Sequence, residues 1–118
     1  MKKKFLGLLV LFFSVIFLVA CSNNSLDGEY YWINEHRNQH IASIKDNKGY
    51  VESEGGYSIE IDKDLKVIKS NYGSVKYDYN DGKLTTNFTG VERDFYKKGT
   101  KACDEALKKY GYKELGKD

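Results

Sequence analysis

The chain has 118 residues, a length that suits one small domain rather than several. Its 19 basic and 17 acidic side chains nearly balance, and no clustered basic surface of the kind that nucleic-acid-binding proteins need is evident. The chain contains no proline and two cysteines, Cys21 and Cys103.

Residues 1–20 have the pattern of a secretory signal peptide. Residues 2–4 are all lysine, and an apolar run from 5 to 19 follows, interrupted only by Gly7 and Ser14. This run is shorter than the roughly 20 apolar residues that a membrane-spanning helix needs. An uncleaved N-terminal anchor is the alternative, and the residues that end the run favour cleavage.

The apolar run ends in Leu18-Val19-Ala20-Cys21. This tetrapeptide resembles the lipobox of bacterial lipoproteins. The resemblance implies cleavage between Ala20 and Cys21 and lipid attachment to the Cys21 sulfur, with acyl chains of the palmitate class. Two acyl chains anchor a protein stably where a single chain does not. We therefore expect a mature protein that is lipid-anchored on the extracytoplasmic face of the cell membrane.

The expected mature chain spans residues 21–118, with 21–26 as the lipidated cysteine and tether and 27–118 as a single β-rich domain with a C-terminal helix. Its net side-chain charge is −1, because it keeps all the acidic residues and loses the three lysines at positions 2–4. With Cys21 lipidated, Cys103 has no partner for an intramolecular disulfide. The domain must then be stabilised by an apolar core, which is marginal at this size.

From Asp27 onward, the sequence predicts about eight short strands separated by turn residues. The strand signals are at 30–33, 41–45, 50–52, 57–61, 65–68, 75–79, 83–88 and 91–96. Alternation predicts that Tyr30 and Trp32 share one face of their strand, and that Ile41 lies on the same face as Ser43. The spacing predicts a mainly β fold, an antiparallel meander that forms a small barrel or half-barrel.

The end of the chain changes to a helical period. Thr100 can cap a helix, and Gly111 can end it. The apolar stripe that would dock on the sheet consists of Ala102, Cys103, Ala106, Leu107 and Tyr110. Lys101, Lys108 and Lys109 lie on the other face, and we treat them as a candidate binding surface for an anionic membrane or partner. A solvated lysine face that aids solubility is the alternative.

Segments 26–31, 59–63, 75–84 and 95–98 resemble parts of small lipocalin-like lipoproteins of Gram-positive bacteria, most of which have no assigned function. The resemblance implies a meandering barrel or half-barrel and no catalytic residue, and the predicted helix is similar to the one that packs outside lipocalin barrels. The strands are too few and too short for a full ligand-holding calyx.

Few residues suggest a reactive site. His36 and His40 are four residues apart, but they belong to a polar stretch that we expect to be a loop, and no third zinc ligand is evident. Glu52, Glu54 and Glu60 are candidates for the paired carboxylates of a glycosidase, although alternating charges on the solvent-exposed face of a strand explain them more simply. We predict no catalytic residue, no metal and no cofactor, and we expect Cys103 to be a buried thiol.

Ten tyrosines and Trp32 are many for a chain of this length. They indicate either an aromatic core or an aromatic recognition surface, and the core is favoured. We expect a non-enzymatic, membrane-proximal protein with a binding, accessory or protective role, monomeric and acting on an unidentified protein or peptide. One alternative is a lipocalin-like binder of small ligands, and another is a precursor whose signal-peptide fragment 13–20 is released as a hydrophobic pheromone.

Overall fold

The computed structural model describes residues 25–53 and 55–116. The signal-peptide segment, the Ala20–Cys21 cleavage site and the fragment 13–20 lie outside the described residues, so the expectations about them remain predictions. No helix in the described part of the chain combines the length and the apolar character needed to cross a membrane.

Eight strands and one helix make up the fold. They are β1 Gly28–Ile33, β2 Asn38–Lys45, β3 Lys48–Val51, β4 Tyr57–Asp62, β5 Val67–Ser70, β6 Gly73–Asn80, β7 Lys83–Thr86, β8 Arg93–Lys97 and α1 Lys101–Lys109. Each strand pairs antiparallel with the next, and β1 also pairs with β8. The predicted meander is thus confirmed, and it closes into a complete barrel rather than a half-barrel.

Short turns with positive φ angles join several strands. Asp46 and Asn47 connect β2 to β3 with φ angles of 53° and 65°, and Asp81 and Gly82 connect β6 to β7 with 47° and 96°. Two consecutive positive φ angles are typical of the type I′ turn, whose twist matches that of the flanking strands. The Asp81-Gly82 hairpin was predicted from the sequence, and the structure confirms it.

Apolar side chains fill the barrel interior. Tyr30 and Trp32 both point inward from β1, whereas Tyr31 and Ile33 point outward, as the alternation predicted. The buried interior residues are Leu26, Tyr30, Ile41, Ala42, Ile44, Val51, Ile59, Ile61, Ile68, Leu84, Phe88 and Phe95. Tyr57, Tyr77 and Tyr79 pack partly against them, so the core uses aromatic side chains extensively.

A β-bulge interrupts the pairing of β1 with β2. Tyr30 lies opposite Ala42 and Tyr31 lies opposite His40, so Ile41 is an extra residue between them. Ile41 and Ala42 are consequently both buried. The prediction that Ile41 shares the outer face with Ser43 is therefore wrong, because simple alternation does not allow for the inserted residue.

Helix α1 packs on the outside of β8 and β1. The Thr100 hydroxyl accepts a hydrogen bond from the Cys103 backbone N–H at 3.3 Å, which confirms Thr100 as the N-cap. Cys103 and Ala106 are buried against Ile33 and form a second apolar cluster. Beyond the helix, the Tyr112 hydroxyl donates a 2.8 Å hydrogen bond to the Asn34 carbonyl, so the chain end runs back along the barrel wall.

The two ends of the barrel differ. We call the end at residues 25–27, 46–47, 63–66, 81–82 and 98–100 the base, and the end at the connections after β1, β3, β5 and β7 the mouth. At the base, the Tyr30 hydroxyl donates to the Leu26 carbonyl at 2.6 Å, and the Lys97 ammonium donates to the Ser25 carbonyl at 2.7 Å. Burial lowers the pKa of Lys97, and nearby Asp27 acts in the opposite direction.

Leu26 was expected to belong to the tether, but it is 5% exposed and packs in the interior cluster. Leu26 is therefore part of the barrel core. All eight strand pairings and both apolar clusters that the structure describes lie within residues 25–116. A chain of residues 22–118 therefore contains all of these elements.

Candidate binding site at the mouth of the barrel

A cleft of about 290 Å³ opens at the mouth between β4, β5, β6 and the segment after β7. Most of the residues that line the cleft are apolar, aromatic or small. They are Tyr57, Ile59, Ile68, Ser70, Tyr72, Gly73, Val75, Asn87, Phe88 and Gly90. A volume near 300 Å³ is at the lower end of the range for small-molecule sites. The cleft is therefore large enough for a small aromatic group or an alkyl chain of medium length.

Aromatic side chains form the walls of this cleft. The Tyr57 hydroxyl donates a 2.9 Å hydrogen bond to the Phe88 carbonyl, which ties β4 to the segment after β7. The ring of Tyr72 packs edge-on against the ring of Tyr57, with their centroids 5.3 Å apart. Tyr72 remains 72% exposed, so an aromatic face stands at the entrance. Such surfaces suit apolar or aromatic ligand groups.

Two arginines stack on Trp32 elsewhere at the mouth. The guanidinium carbon of Arg37 lies 4.4 Å from the Trp32 ring centroid, and that of Arg93 lies 4.7 Å from it. Arg37 comes from the connection after β1 and is exposed, whereas Arg93 begins β8 and is half-buried. Each contact is a favourable cation–π interaction.

A chain of ring contacts links this arginine pair to the cleft. Trp32 meets Phe95 edge-on at a centroid distance of 6.3 Å, and Phe95 meets Phe88 at 5.1 Å. Phe88 itself lines the cleft. The Arg93 Nε–H also donates to the Thr89 hydroxyl at 2.9 Å, which fixes Arg93 to the segment that forms the cleft wall.

His40 lies in β2 and not in the loop that the sequence predicted, because β2 begins at Asn38, three residues before the predicted start at 41. Its Nδ1 is 2.6 Å from a carboxylate oxygen of Glu52, and its Nε2 is 2.9 Å from one of Glu29. The ring also packs edge-on against Tyr31. The three polar residues join β1, β2 and the segment after β3 on the outer wall.

Ser43 lies beside His40, which invites comparison with a Ser-His-Glu triad. In a triad, the serine hydroxyl donates to the imidazole that will take its proton. Here the Ser43 hydroxyl donates to Glu29 at 2.7 Å and is 3.3 Å from His40 Nε2, which already faces Glu29. The contacts are those of a hydrogen-bonded clasp between neighbouring strands.

His36 does not take part in this clasp. It is exposed, and its Nε2 lies 3.7 Å from the carboxylate of its neighbour Glu35. The helical spacing of His36 and His40 therefore has no structural counterpart. Within residues 25–53 and 55–116, no group of three or more His, Cys, Asp or Glu side chains is arranged to hold a metal ion.

The three helix lysines all face solvent, as the predicted amphipathic pattern requires. The Lys101 ammonium lies 3.9 Å from the Glu105 carboxylate, and the Lys109 ammonium lies 5.3 Å from the Tyr110 ring centroid. A groove of about 420 Å³ runs between α1 and the β6–β7 hairpin, bordered by Lys101 and Lys109 but also by Asp81 and Glu105. The groove is larger than the cleft, but its mixed charges and openness make it a weaker candidate for a ligand site.

Sequence reasoning missed the residues of the mouth. It placed Tyr57, Ile59 and Ile61 inward, and the structure confirms this, but it gave no role to Arg37 or Arg93. The available signal was their position beside strand ends, together with an inward-facing tryptophan on β1. Comparisons with protein-family models, with curated proteins and with solved structures find no match to this chain.

Proposed function

We propose that this protein is a lipid-anchored, non-enzymatic binding protein on the outer face of the cell membrane and that its ligand site is the cleft at the mouth. The observation that carries the proposal is the apolar cleft itself, which lies at the opposite end of the barrel from the chain's entry at Ser25. Concave sites lined by apolar and aromatic groups are where small ligands bind preferentially.

The lipobox resemblance and the position of Ser25 together define an orientation for this proposal. Three residues lie between Cys21 and Ser25, so the four Cα–Cα steps span at most about 14 Å. A lipid on Cys21 would keep the base near the bilayer and present the mouth outward. Lys101 follows the base directly, whereas Lys108 and Lys109 are about 10–12 Å farther along the helix axis, so Lys101 is the best placed of the three helix lysines to meet headgroups.

The anchor is tested by Cys21→Ser in the full-length precursor. A hydroxyl cannot replace the thiolate nucleophile, so we expect no lipid attachment and no cleavage before residue 21. Mass spectrometry of the membrane and soluble fractions measures both. A variant that is still cleaved at that bond and still acylated at its N-terminus would overturn the lipoprotein assignment.

The cleft is tested separately with residues 22–118 and the neutral fluorescent probe 1-aminoanthracene. Val75→Phe enlarges a side chain that lines the cleft, and we expect it to weaken probe binding at least tenfold, about 1.4 kcal/mol. Leu65→Phe is the matched control, since Leu65 is exposed at the base, away from the cleft. Absence of probe binding to the unmodified protein, or equal binding by both variants, would overturn the proposal.

A further inference from the structure

We propose that the mouth recognises an anionic group: the guanidinium groups of Arg37 and Arg93 bind the carboxylate or phosphate of an amphiphilic ligand whose apolar part occupies the cleft. This inference rests on the proposed function, because it names the chemical class of ligand for the same site. Four observations support it.

First, the two guanidinium groups retain most of their hydrogen-bond donors. Arginine has five N–H donors. The structure gives each side chain one hydrogen bond, from Arg37 to the Gln39 side-chain oxygen at 3.2 Å and from Arg93 to the Thr89 hydroxyl at 2.9 Å. The remaining donors can serve a carboxylate or phosphate, which arginine binds in a bidentate manner.

Second, Trp32 holds both guanidinium groups in position. Stacking on an aromatic face restrains the plane of a guanidinium and leaves its N–H edge accessible. Because the side chains are ordered before a ligand arrives, less rotamer entropy is lost on binding. Because both guanidinium carbons lie within 4.7 Å of one ring centroid, the two positive charges are held in the same part of the mouth.

Third, neither arginine has an acidic partner among the residues that the structure describes. Glu92, which precedes Arg93 in the chain, is exposed and forms no ion pair with either arginine, and other carboxylates of neighbouring segments are engaged elsewhere. Glu52 binds His40, Asp94 accepts a 2.7 Å hydrogen bond from the Thr85 hydroxyl, and Glu35 lies beside His36. The positive charge of the pair is therefore not neutralised within the described part of the chain.

Fourth, the charged and apolar parts are contiguous. Phe88 lines the cleft and packs on Phe95, which contacts Trp32, and the next residue, Thr89, accepts the hydrogen bond from Arg93. One ligand could thus place an acidic head at the arginines and a short chain or ring in the cleft. The small volume of the cleft favours a medium-length chain over a long one.

The experiment uses residues 22–118 and a series of octyl compounds that displace 1-aminoanthracene at low salt. Octanoate and octyl phosphate carry an anionic head, octanol a neutral one and octyltrimethylammonium a cationic one, while the chain stays the same. We expect the anions to bind about tenfold more tightly than octanol and the cation to bind more weakly than octanol. We also expect the preference to fall as ionic strength rises.

The variant R37Q/R93Q tests the role of the arginines. We expect it to remove the preference for the anions and to leave octanol affinity within about twofold of the unmodified protein. Lys108→Gln removes an exposed positive charge on α1 and should retain the preference. Unchanged far-UV circular dichroism and octanol binding show that the double variant is folded.

The outcomes separate the two proposals. Failure of octanol and of every other octyl compound to bind would overturn the proposed function. Binding of octanol as tight as that of the two anions, or an anion preference that survives in R37Q/R93Q, would overturn the inference while leaving the cleft intact. Tighter binding of octanoate than of octyl phosphate would identify the head as a carboxylate, and the reverse would identify it as a phosphate.

Discussion

Cys103 occupies the centre of the contact between α1 and the barrel. It is 1% exposed and packs with Ile33 and Ala106, as expected for a buried thiol. Burial raises the pKa of Cys103 from 9.0 to about 11, and the neighbouring carboxylate of Asp104 adds to the effect. A thiolate at this position would lose its hydration and would have no nearby cation, among the described residues, to stabilise its charge. The folded protein therefore retains the neutral thiol over a wider pH range than the unfolded chain does.

This difference predicts a loss of stability at alkaline pH. The folded-state pKa is raised, so the contribution of Cys103 is fully present below pH 9 and is lost as the pH rises through about 11. Between pH 9 and about 11, we expect the free energy of unfolding to fall more in the unmodified protein than in Cys103→Ala. The difference between the two proteins should grow by at most about 1.4 kcal/mol per pH unit. Urea unfolding of residues 22–118 at a series of pH values measures it. Parallel losses in the two proteins would contradict the prediction.

Residue roles were predictable where a local pattern determines them. The inward face of β4 and the apolar stripe of α1 follow from periodicity, and both are confirmed. His40 shows where this fails, because its partners Glu29 and Glu52 come from other segments of the chain, and strand register, with a bulge at Ile41, decides that they meet. Trp32 was expected either in the core or on the surface, and it lies half-buried at the mouth.

At the scale of elements, the β6–β7 hairpin and the start of α1 fit together closely. Gly82 is buried in the hairpin turn with a φ of 96°, and a Cβ at this position would overlap the side chain of Thr100. Thr100 is itself buried, and it caps the helix. The glycine therefore serves both the turn, which needs a positive φ, and the helix cap, which needs the space.

We expect Gly82→Ala to destabilise the protein more than Gly90→Ala does. Gly90 has a similar φ of 103° but no atom within 4 Å of its virtual Cβ, so the two variants share the backbone strain and differ in the steric overlap. Strain at a positive φ costs about 1–2 kcal/mol, and overpacking adds about 1–3 kcal/mol. Urea denaturation of both variants gives the difference. Equal losses would show that Thr100 moves aside without cost.

The elements themselves were largely predictable because each has a local signal. Alternation and turn residues defined the strands, and the Thr100 cap, the apolar stripe and Gly111 defined the helix. The closure of β1 on β8 could not be predicted from local sequence patterns, since it depends on twist and register accumulated over eight strands. The arginine pair at the mouth could likewise not be predicted from the sequence, because Arg37 and Arg93 meet at Trp32 only once the barrel is closed.

At the scale of the whole molecule, the barrel is closed at one end and open at the other. Leu26 lies beneath the core at the base, and the hydrogen bonds to the Ser25 and Leu26 carbonyls hold this segment in place. At the mouth, the cleft remains accessible between aromatic side chains. The first described residue, Ser25, lies at the closed end, opposite the cleft.

The closure of the base predicts a strong effect of Leu26→Ala. Truncating a buried leucine removes apolar contacts and leaves a cavity, which costs about 2–5 kcal/mol. Leu65→Ala is the matched control at the same end of the barrel, because Leu65 is 68% exposed and an exposed substitution changes stability by only about 0.5 kcal/mol. Chemical denaturation of residues 22–118 compares them. Similar midpoints would mean that residues 25–26 are dispensable for the barrel.

The position of β1 gives the molecule a direct path for mechanical load. The strand starts next to the clamped Ser25–Asp27 segment and carries Trp32 near its other end, so the five residues 28–32 connect this segment to the arginine pair. Tension between an N-terminal anchor and a captured ligand would run along this strand. Because β2 and β8 bond to its two edges, the pull would shear both rows of hydrogen bonds together instead of unzipping them singly. Under the proposed function, β1 would thus carry the load between the anchor and a bound ligand.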